Sequence, residues 1–231
     1  MSRIVAANSL VMPRAIYRKA QDLYRAERYL EGCAVLEFGI NNATASLIND
    51  GITLGAPLGL YALCCAIASN EDGLQSVRSL VAEQSIPVDG DLQIAFLWAA
   101  VRRAEWEQVY QSTNDALAVE QTIGFRHAGF LRFFRAYANA NLGQTAAAVE
   151  DAEIARALFV VAEEGAFSAQ AANYLGLLYR QTSFFRMSLV WYDRALKYYT
   201  QHGLLDKQAM VQFNRAVTNY KTGDYDAAHE G

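Results

Sequence analysis

The sequence contains few residues that break helices or that build covalent and metal frameworks. Its 231 residues include only 3 prolines, 15 glycines, 3 cysteines and 3 histidines. Scarce proline and glycine argue against a turn-rich β architecture, and residues that favour helix fill the long stretches between them. We therefore expect an all-α protein. Apolar residues make up 53% of the chain, which is enough for a continuous core.

The chain also lacks a strong excess of charge and a long hydrophobic run. Its net charge is −4 and its basic residues are spread out, so we expect no direct contact with nucleic acid. Pro13 and Arg14 interrupt the apolar start, which disfavours a signal peptide. The uncharged stretch 51–70 has membrane-spanning length, but Pro57 and three glycines shorten its helical part to that of a buried helix. No membrane partner is expected.

The cysteines are too few and too close to indicate a disulfide framework. Cys33 and the adjacent pair Cys64 and Cys65 are predicted to be reduced, buried thiols, which is typical of a cytoplasmic protein. Adjacent cysteines do not have the spacing of a zinc site, and the histidines stand far apart, so we expect neither a metal nor a cofactor.

Motifs that carry enzyme chemistry are missing. The sequence contains no glycine-rich phosphate loop and no GxSxG nucleophile elbow. The acidic pairs Glu150-Asp151 and Glu163-Glu164 are predicted to lie on solvated helix surfaces, because adjacent helical residues diverge by about 100°. We therefore predict a protein that is not an enzyme.

Small residues return every 40 positions in the C-terminal half. One column is Ala136, Gly176 and Ala216, a loop column is Gly143, Ser183 and Gly223, and later columns are Ala148, Ser188 and Ala228, then Ala155 and Ala195. This spacing is typical of a helix, a tight turn and an antiparallel helix, which approach closely where both side chains are small.

The segment with Leu175-Gly176, Tyr179, Ser188, Tyr192 and Ala195, followed by the later turn GDYDAA, resembles the tetratricopeptide repeat family. Departures from the family pattern are Ala172 in place of Trp, Ser188 in place of Ala and Thr200 in place of Pro. The 40-residue period exceeds the family's usual 34, which implies longer helices. The resemblance implies an α-solenoid of antiparallel helix pairs wound into a right-handed superhelix.

The resemblance covers residues 13–231, after a lead-in over 1–12. We count about six repeats. Weaker copies have a turn at Ala104-Glu105-Trp106 before Val109, another at Arg28 to Gly32, and a copy over Pro57 to Glu83 with Cys64 and Ser76 as small positions. The last repeat is cut inside its second helix, so we expect a fragment of a longer protein.

The resemblance implies a scaffold that holds a peptide or helix of a partner protein in a concave groove lined by the first helix of each repeat. One version is the sensor or assembly segment of a bacterial transcriptional or signalling regulator. The alternative is a self-association module that forms a homo-oligomer. The repeat positions nominate, as residues contacting the partner, Trp98, Arg102, Phe133, Tyr137, Asn173, Leu177, Arg180, Phe213, Val217, Tyr220 and Lys221.

Overall fold

The computed structural model describes residues 11–43, 51–88, 90–118 and 124–223. This part of the chain is an array of helices with one pair of short strands. The N-terminal elements are β1 (Val11–Pro13), α1 (Arg14–Arg25), α2 (Tyr29–Asn41), β2 (Gly51–Thr53), α3 (Gly55–Ile67), α4 (Glu71–Gln84) and α5 (Gly90–Arg102). The C-terminal elements are α6 (Trp106–Leu117), α7 (Phe125–Asn141), α8 (Thr145–Val161), α9 (Gly165–Gln181), α10 (Phe185–Gln201) and α11 (Leu205–Thr222).

The chain divides into two compact units between Arg103 and Ala104. Within each unit the helices pack mainly against their neighbours in sequence, which confirms the predicted all-α class. Val11 to Pro13, where the predicted lead-in over 1–12 meets the repeat region, pair antiparallel with Thr53 to Gly51. Met12 has no exposed surface, so this segment contributes to the first unit.

The core of the first unit is α3, which packs against α2, α4 and α5. Ten of its 13 residues, from Pro57 to Ala66, are buried. This explains the uncharged stretch at 51–70, because a helix surrounded by other helices needs apolar residues on all sides. Among the described residues, no helix is long and apolar enough to cross a membrane.

The second unit repeats with the predicted period. Helices α7, α9 and α11 begin at Phe125, Gly165 and Leu205, which are 40 residues apart. The second helices of the first two pairs begin at Thr145 and Phe185, again 40 residues apart. Each of these pairs consists of two helices of 17 residues. The helix pairs predicted from the small residues are therefore confirmed.

Left-handed backbone conformations mark the described turns after α7, α8, α9, α10 and α11. The loop column has φ of 80° at Gly143, 64° at Ser183 and 80° at Gly223. After the turn, the amide of Phe184 donates to the carbonyl of Tyr179 at 2.8 Å, a bond that closes the helix end. Glycine adopts this φ without strain, which is why it occupies two of the three positions.

The small columns lie where the two helices of a pair meet. Ala136 and Ala148 have no exposed surface, and neither has Ser188. A side chain added at Gly176 would place its Cβ 2.4 Å from the ring of Tyr192. Glycine is therefore required there by the close approach of the aromatic ring, as the pattern of small residues predicted.

In the first half, the copies that correspond to α1 with α2 and to α3 with α4 pack as helix pairs, with one error of register. Turns precede α2 at Tyr29 and α6 at Trp106, as predicted, and Val109 is fully buried. Ser76, predicted to be a small packing position, is exposed. Gly73 has that role instead, because a Cβ there would lie 2.7 Å from the Cys65 sulfur.

The ends of the described chain limit what can be said of the repeats. Pro13 is the residue before α1, which begins at Arg14. Ala216 is half-buried at the end of the first small column. The turn motif GDYDAA after Gly223, the Ala228 position and the predicted cut inside the last repeat lie outside the described residues.

Candidate functional site

The nominated residues of the second unit lie on the first helices of the repeats. Phe213, Val217 and Tyr220 follow one another at spacings of four and three, so they form a stripe on α11. Their counterparts one repeat earlier are Asn173, Leu177 and Arg180 on α9, and two repeats earlier Phe133 and Tyr137 on α7. Exposure along this stripe increases from α7 to α11, which decides what each residue can contact.

On α7 the nominated aromatic residues belong to the core. Phe133 has no exposed surface, and its ring makes edge contacts with the rings of Phe159 and Tyr174. A partner cannot touch it in this conformation, so its nomination as a contact residue is corrected. It was nominated by repeat position, which fixes the side of the helix but not how deeply the next helix covers it.

Tyr137 joins the first helices of consecutive repeats. Its ring stacks on that of Tyr174 from α9, with the ring centroids 4.0 Å apart. Burial raises the pKa of Tyr137 to about 12, although a hydrogen bond with Gln170 opposes the rise. The phenol is therefore neutral at physiological pH, and it serves mainly as a packing surface between α7 and α9.

On α9 and α11 the stripe changes from buried to exposed. Asn173 is buried and accepts a hydrogen bond of 3.3 Å from the side-chain amide of Asn214 on α11. Leu177 and Val217 are half-buried beside this bond. Asn173 is therefore used for packing α9 against α11, whereas the two aliphatic residues retain some surface for a partner.

The accessible end of the stripe combines aromatic and basic residues. Phe213 is 67% exposed and Tyr220 is 66% exposed, and Lys221 beside them is also exposed. Arg180 is half-buried and forms no ion pair within the described residues. We call Leu177, Arg180, Phe213, Val217, Tyr220 and Lys221 the first-helix face.

The two nominated residues of the first unit behave differently. Trp98 is half-buried on α5. The guanidinium of Arg102 donates to the carbonyl of Ala66 at 2.9 Å and to the hydroxyl of Ser69 at 2.6 Å, and it also pairs with Glu71. These bonds hold the end of α5 to the turn between α3 and α4. Arg102 was expected either to bind a partner or to be solvated, and its guanidinium is already engaged within the fold.

Asp151 was predicted to lie on a solvated surface, and this prediction is wrong. The residue is 3% exposed and its carboxylate accepts hydrogen bonds from Arg132 at 3.1 Å and from two nitrogens of Arg135 at 2.7 and 2.8 Å. The side-chain amide of Asn139 adds a fourth bond of 3.0 Å. A buried carboxylate needs such partners because its charge has lost its contact with water. Glu150 beside it is exposed, as expected.

A correlated departure in the repeat pattern could have revealed this network. Forty residues later, Asp151 corresponds to Trp191, and Arg132 corresponds to Ala172. Both positions are buried and apolar in the later repeat, with Trp191 at 6% and Ala172 at 3% exposed. When one repeat has opposite charges at two positions that are apolar in the next repeat, the two charged residues are expected to form a buried ion pair in place of apolar packing. A search for small residues alone overlooks such a pair.

The three cysteines form a buried cluster between α2 and α3. The sulfurs of Cys33 and Cys65 are 3.5 Å apart, and all three thiols are free. A hydrogen bond with Cys64 and burial raise the pKa of Cys33 to about 12, although a hydrogen bond with Cys65 opposes the rise. The same kinds of contact raise the pKa of Cys65. Cys33 and Cys65 are therefore protonated, and all three cysteines are buried, as predicted for small apolar packing residues.

Neither a metal-binding cluster nor a similar protein identifies a function for this site. In the described ranges, no group of three or more His, Cys, Asp or Glu side chains is arranged to hold a metal ion. Comparisons with protein-family models and with curated proteins find no match for this chain. The class that the fold defines is an array of sequentially packed helix pairs.

Proposed function

We propose that this chain is a protein-binding scaffold of the tetratricopeptide type, in which the helix pairs form a right-handed superhelix. Its first-helix face would hold a peptide or a helix of a partner protein in the cytoplasm. The observation that carries the proposal is the exposure of Phe213 and Tyr220 on α11, at the positions that the repeat phase assigns to the groove. Large exposed aromatic residues beside basic ones are typical of binding hot spots.

The neighbouring charges support the same function. Arg180 and Lys221 have no carboxylate at ion-pair distance among the described residues, so they are available to orient a partner. Burial of an aromatic anchor with a few orienting hydrogen bonds is how helical grooves take amphipathic segments. In one form of this proposal the array is the sensor or assembly segment of a bacterial transcriptional or signalling regulator.

A phage-displayed random peptide library tests the proposal with the full 231-residue chain. We expect selected peptides to lose at least about tenfold in affinity on Phe213→Ala, which corresponds to roughly 1.4 kcal/mol. Phe184→Ala is the matched control, because Phe184 is 62% exposed but lies in the turn before α10. If the two variants lower the affinity equally, or if no peptide is selected, the proposal that the first-helix face binds a peptide is contradicted.

Self-association is the second candidate, and the apolar surface of α11 favours it. Met210 is 44% exposed next to Phe213, so this helix offers an apolar patch to a second copy. Light scattering over a range of concentrations decides the point. A mass that doubles with concentration and reverts on Phe213→Ala supports self-association, whereas a constant monomer mass excludes it for this chain.

A further inference from the structure

The C-terminal unit contains a cleft that is lined by none of the first-helix face residues. It is formed by α8, the first turns of α9 and the second half of α10, and its volume is about 390 Å³. Its apolar wall contains Val160 and the fully buried Phe159, and Arg156, Arg194 and Tyr198 are among the other residues that line it. Val160 is 57% exposed, so the apolar wall is open to solvent.

Two arginines flank a buried tryptophan at this cleft. The Cζ of Arg156 is 5.2 Å from the centroid of the Trp191 ring, and that of Arg194 is 4.3 Å from it. Trp191 is 6% exposed and its indole nitrogen has no hydrogen-bond partner among the described residues. The ring therefore holds two like charges near each other by cation–π contact.

Neither arginine has a carboxylate at ion-pair distance in the described parts of the chain. The Nε of Arg156 is buried and makes no hydrogen bond there. Other arginines of this unit are paired, such as Arg126 with Glu164 and Arg135 with Asp151. Burial and the charge of Arg194 lower the pKa of Arg156, while the charge of Glu153 opposes the fall. A guanidinium in this environment gains from an added anion.

The groups around the arginines select the kind of anion. Glu163 also lines the cleft and would repel a polyanion, and the chain as a whole carries a net charge of −4. The exposed side chain of Val160 suits an apolar side chain next to the anion. A carboxylate accepts two parallel hydrogen bonds from one guanidinium, so a single acidic side chain fits an arginine pair.

We infer that this cleft binds an acidic side chain of a partner peptide, with an adjacent apolar side chain packed on Val160. The inference rests on the proposed scaffold function and specifies its partner as an acidic, amphipathic segment. Arg194, at the exposed rim, would meet the carboxylate first, and Arg156 would supply the buried contact.

A pair of synthetic libraries tests this inference. Both consist of cellulose-bound nonapeptides with neutral and apolar residues at random, and the central residue is Glu in one and Gln in the other. We expect the full chain to be retained about tenfold more on the Glu library at low salt, and this preference to shrink at high salt. Arg156→Gln and Arg194→Gln should abolish the preference, whereas Arg186→Gln, an exposed arginine near the start of α10, should preserve it.

The variants separate folding from binding. Arg156 stacks on Trp191, so circular dichroism must show that Arg156→Gln is folded, and the exposed Arg194→Gln carries the test if it is not. Arg194→Lys keeps the charge but loses the two parallel hydrogen bonds, so we expect part of the preference to remain.

Each outcome bears on a different claim. Retention on both libraries without a preference for Glu overturns the acidic cleft and leaves the scaffold function in place. A preference for the Glu library that is lost in Arg194→Gln but unchanged in Phe213→Ala supports binding at the cleft. The same result contradicts the proposal that the partner binds the first-helix face. Tighter binding of single-stranded oligothymidylate through the same arginines would overturn a peptide as the occupant.

Discussion

The hydroxyl of Ser188 donates a hydrogen bond of 2.8 Å to the carbonyl of Gly176 where α10 crosses α9. Both residues are buried, so the two small columns of the repeat touch at this point. The contact shows why the spacing of small residues carried so much information about this fold. The helices of a pair can cross this closely only where neither residue has a large side chain.

Gly176→Ala tests this crossing. The added Cβ would lie 2.4 Å from the ring of Tyr192, which is fully buried and cannot move into solvent. We expect the variant to lose about 1–3 kcal/mol of unfolding free energy, measured by urea titration. Gly55→Ala is the control, because a Cβ at the start of α3 meets nothing within 4 Å. Two variants of equal stability would contradict the packing.

A charge placed in the second small column should unfold the C-terminal unit. Ala148 has no exposed surface, so Ala148→Asp buries a carboxylate without a partner. Ala146 lies two residues earlier on the same helix and is exposed, so Ala146→Asp should change stability by less than about 0.5 kcal/mol. Circular dichroism during thermal unfolding compares the two variants. If both retain the native melting curve, the repeat register is wrong.

Glycine and serine at the loop column helped to predict the register of the second unit. In the first half, the left-handed residues include Glu27, Ser69, Ser85 and Ala104, and neither glutamate nor alanine signals such a turn. Their conformation is set by the bonds that close the helix end, such as the 2.9 Å bond from the amide of Arg28 to the carbonyl of Leu23.

Once the turn residue is known, the small positions of the first helix pair can be located. In α9 and α10 they lie seven positions before and five after Ser183, at residues 176 and 188. The same offsets from Glu27 give Ala20 and Gly32, both buried in the pair formed by α1 and α2. The phase therefore extends to the first helix pair, although composition alone could not show it.

The candidate site was less predictable than the fold. Repeat position identified Phe213 and Tyr220 as exposed, but it also nominated Phe133, which the following helix covers. How deeply a first-helix residue is buried depends on the size of residues such as Tyr174 in the next repeat. The sequence of a single repeat does not contain that information. The cleft beside Trp191 was missed because its two arginines lie on different helices, 38 positions apart in sequence.

Asp151→Asn should be strongly destabilising. The carboxylate balances the charges of Arg132 and Arg135, whose side chains are 19% and 17% exposed. Removing one partner of a buried ion pair costs about 3–5 kcal/mol, because the remaining charge is uncompensated. Glu150→Gln next to it is the control, since Glu150 is exposed. Urea unfolding of both variants gives the comparison, and equal midpoints would show that the network contributes nothing.

The thiol cluster should make the fold sensitive to alkaline pH. Hydrogen bonding to Cys64 and burial hold the pKa of Cys33 at about 12, and the pKa of Cys65 is also raised. A raised pKa means that the folded state favours the protonated thiol. The resulting stabilisation is complete below the pKa of an unfolded cysteine, about 8.5, and is lost as the pH rises from there toward the folded pKa.

Urea unfolding between about pH 8 and pH 10 measures this loss. We expect the free energy of unfolding to fall by up to about 1.4 kcal/mol per pH unit for each thiol that ionises only in the unfolded chain. Cys33→Ala should reduce this slope, because one such group is removed. Tyr61 adds to the fall as the pH approaches 10, because burial and the nearby Cys65 raise its pKa above that of an unfolded tyrosine, so the comparison with Cys33→Ala isolates the thiol. A slope that is the same in wild type and variant would show that the buried thiols are not its source.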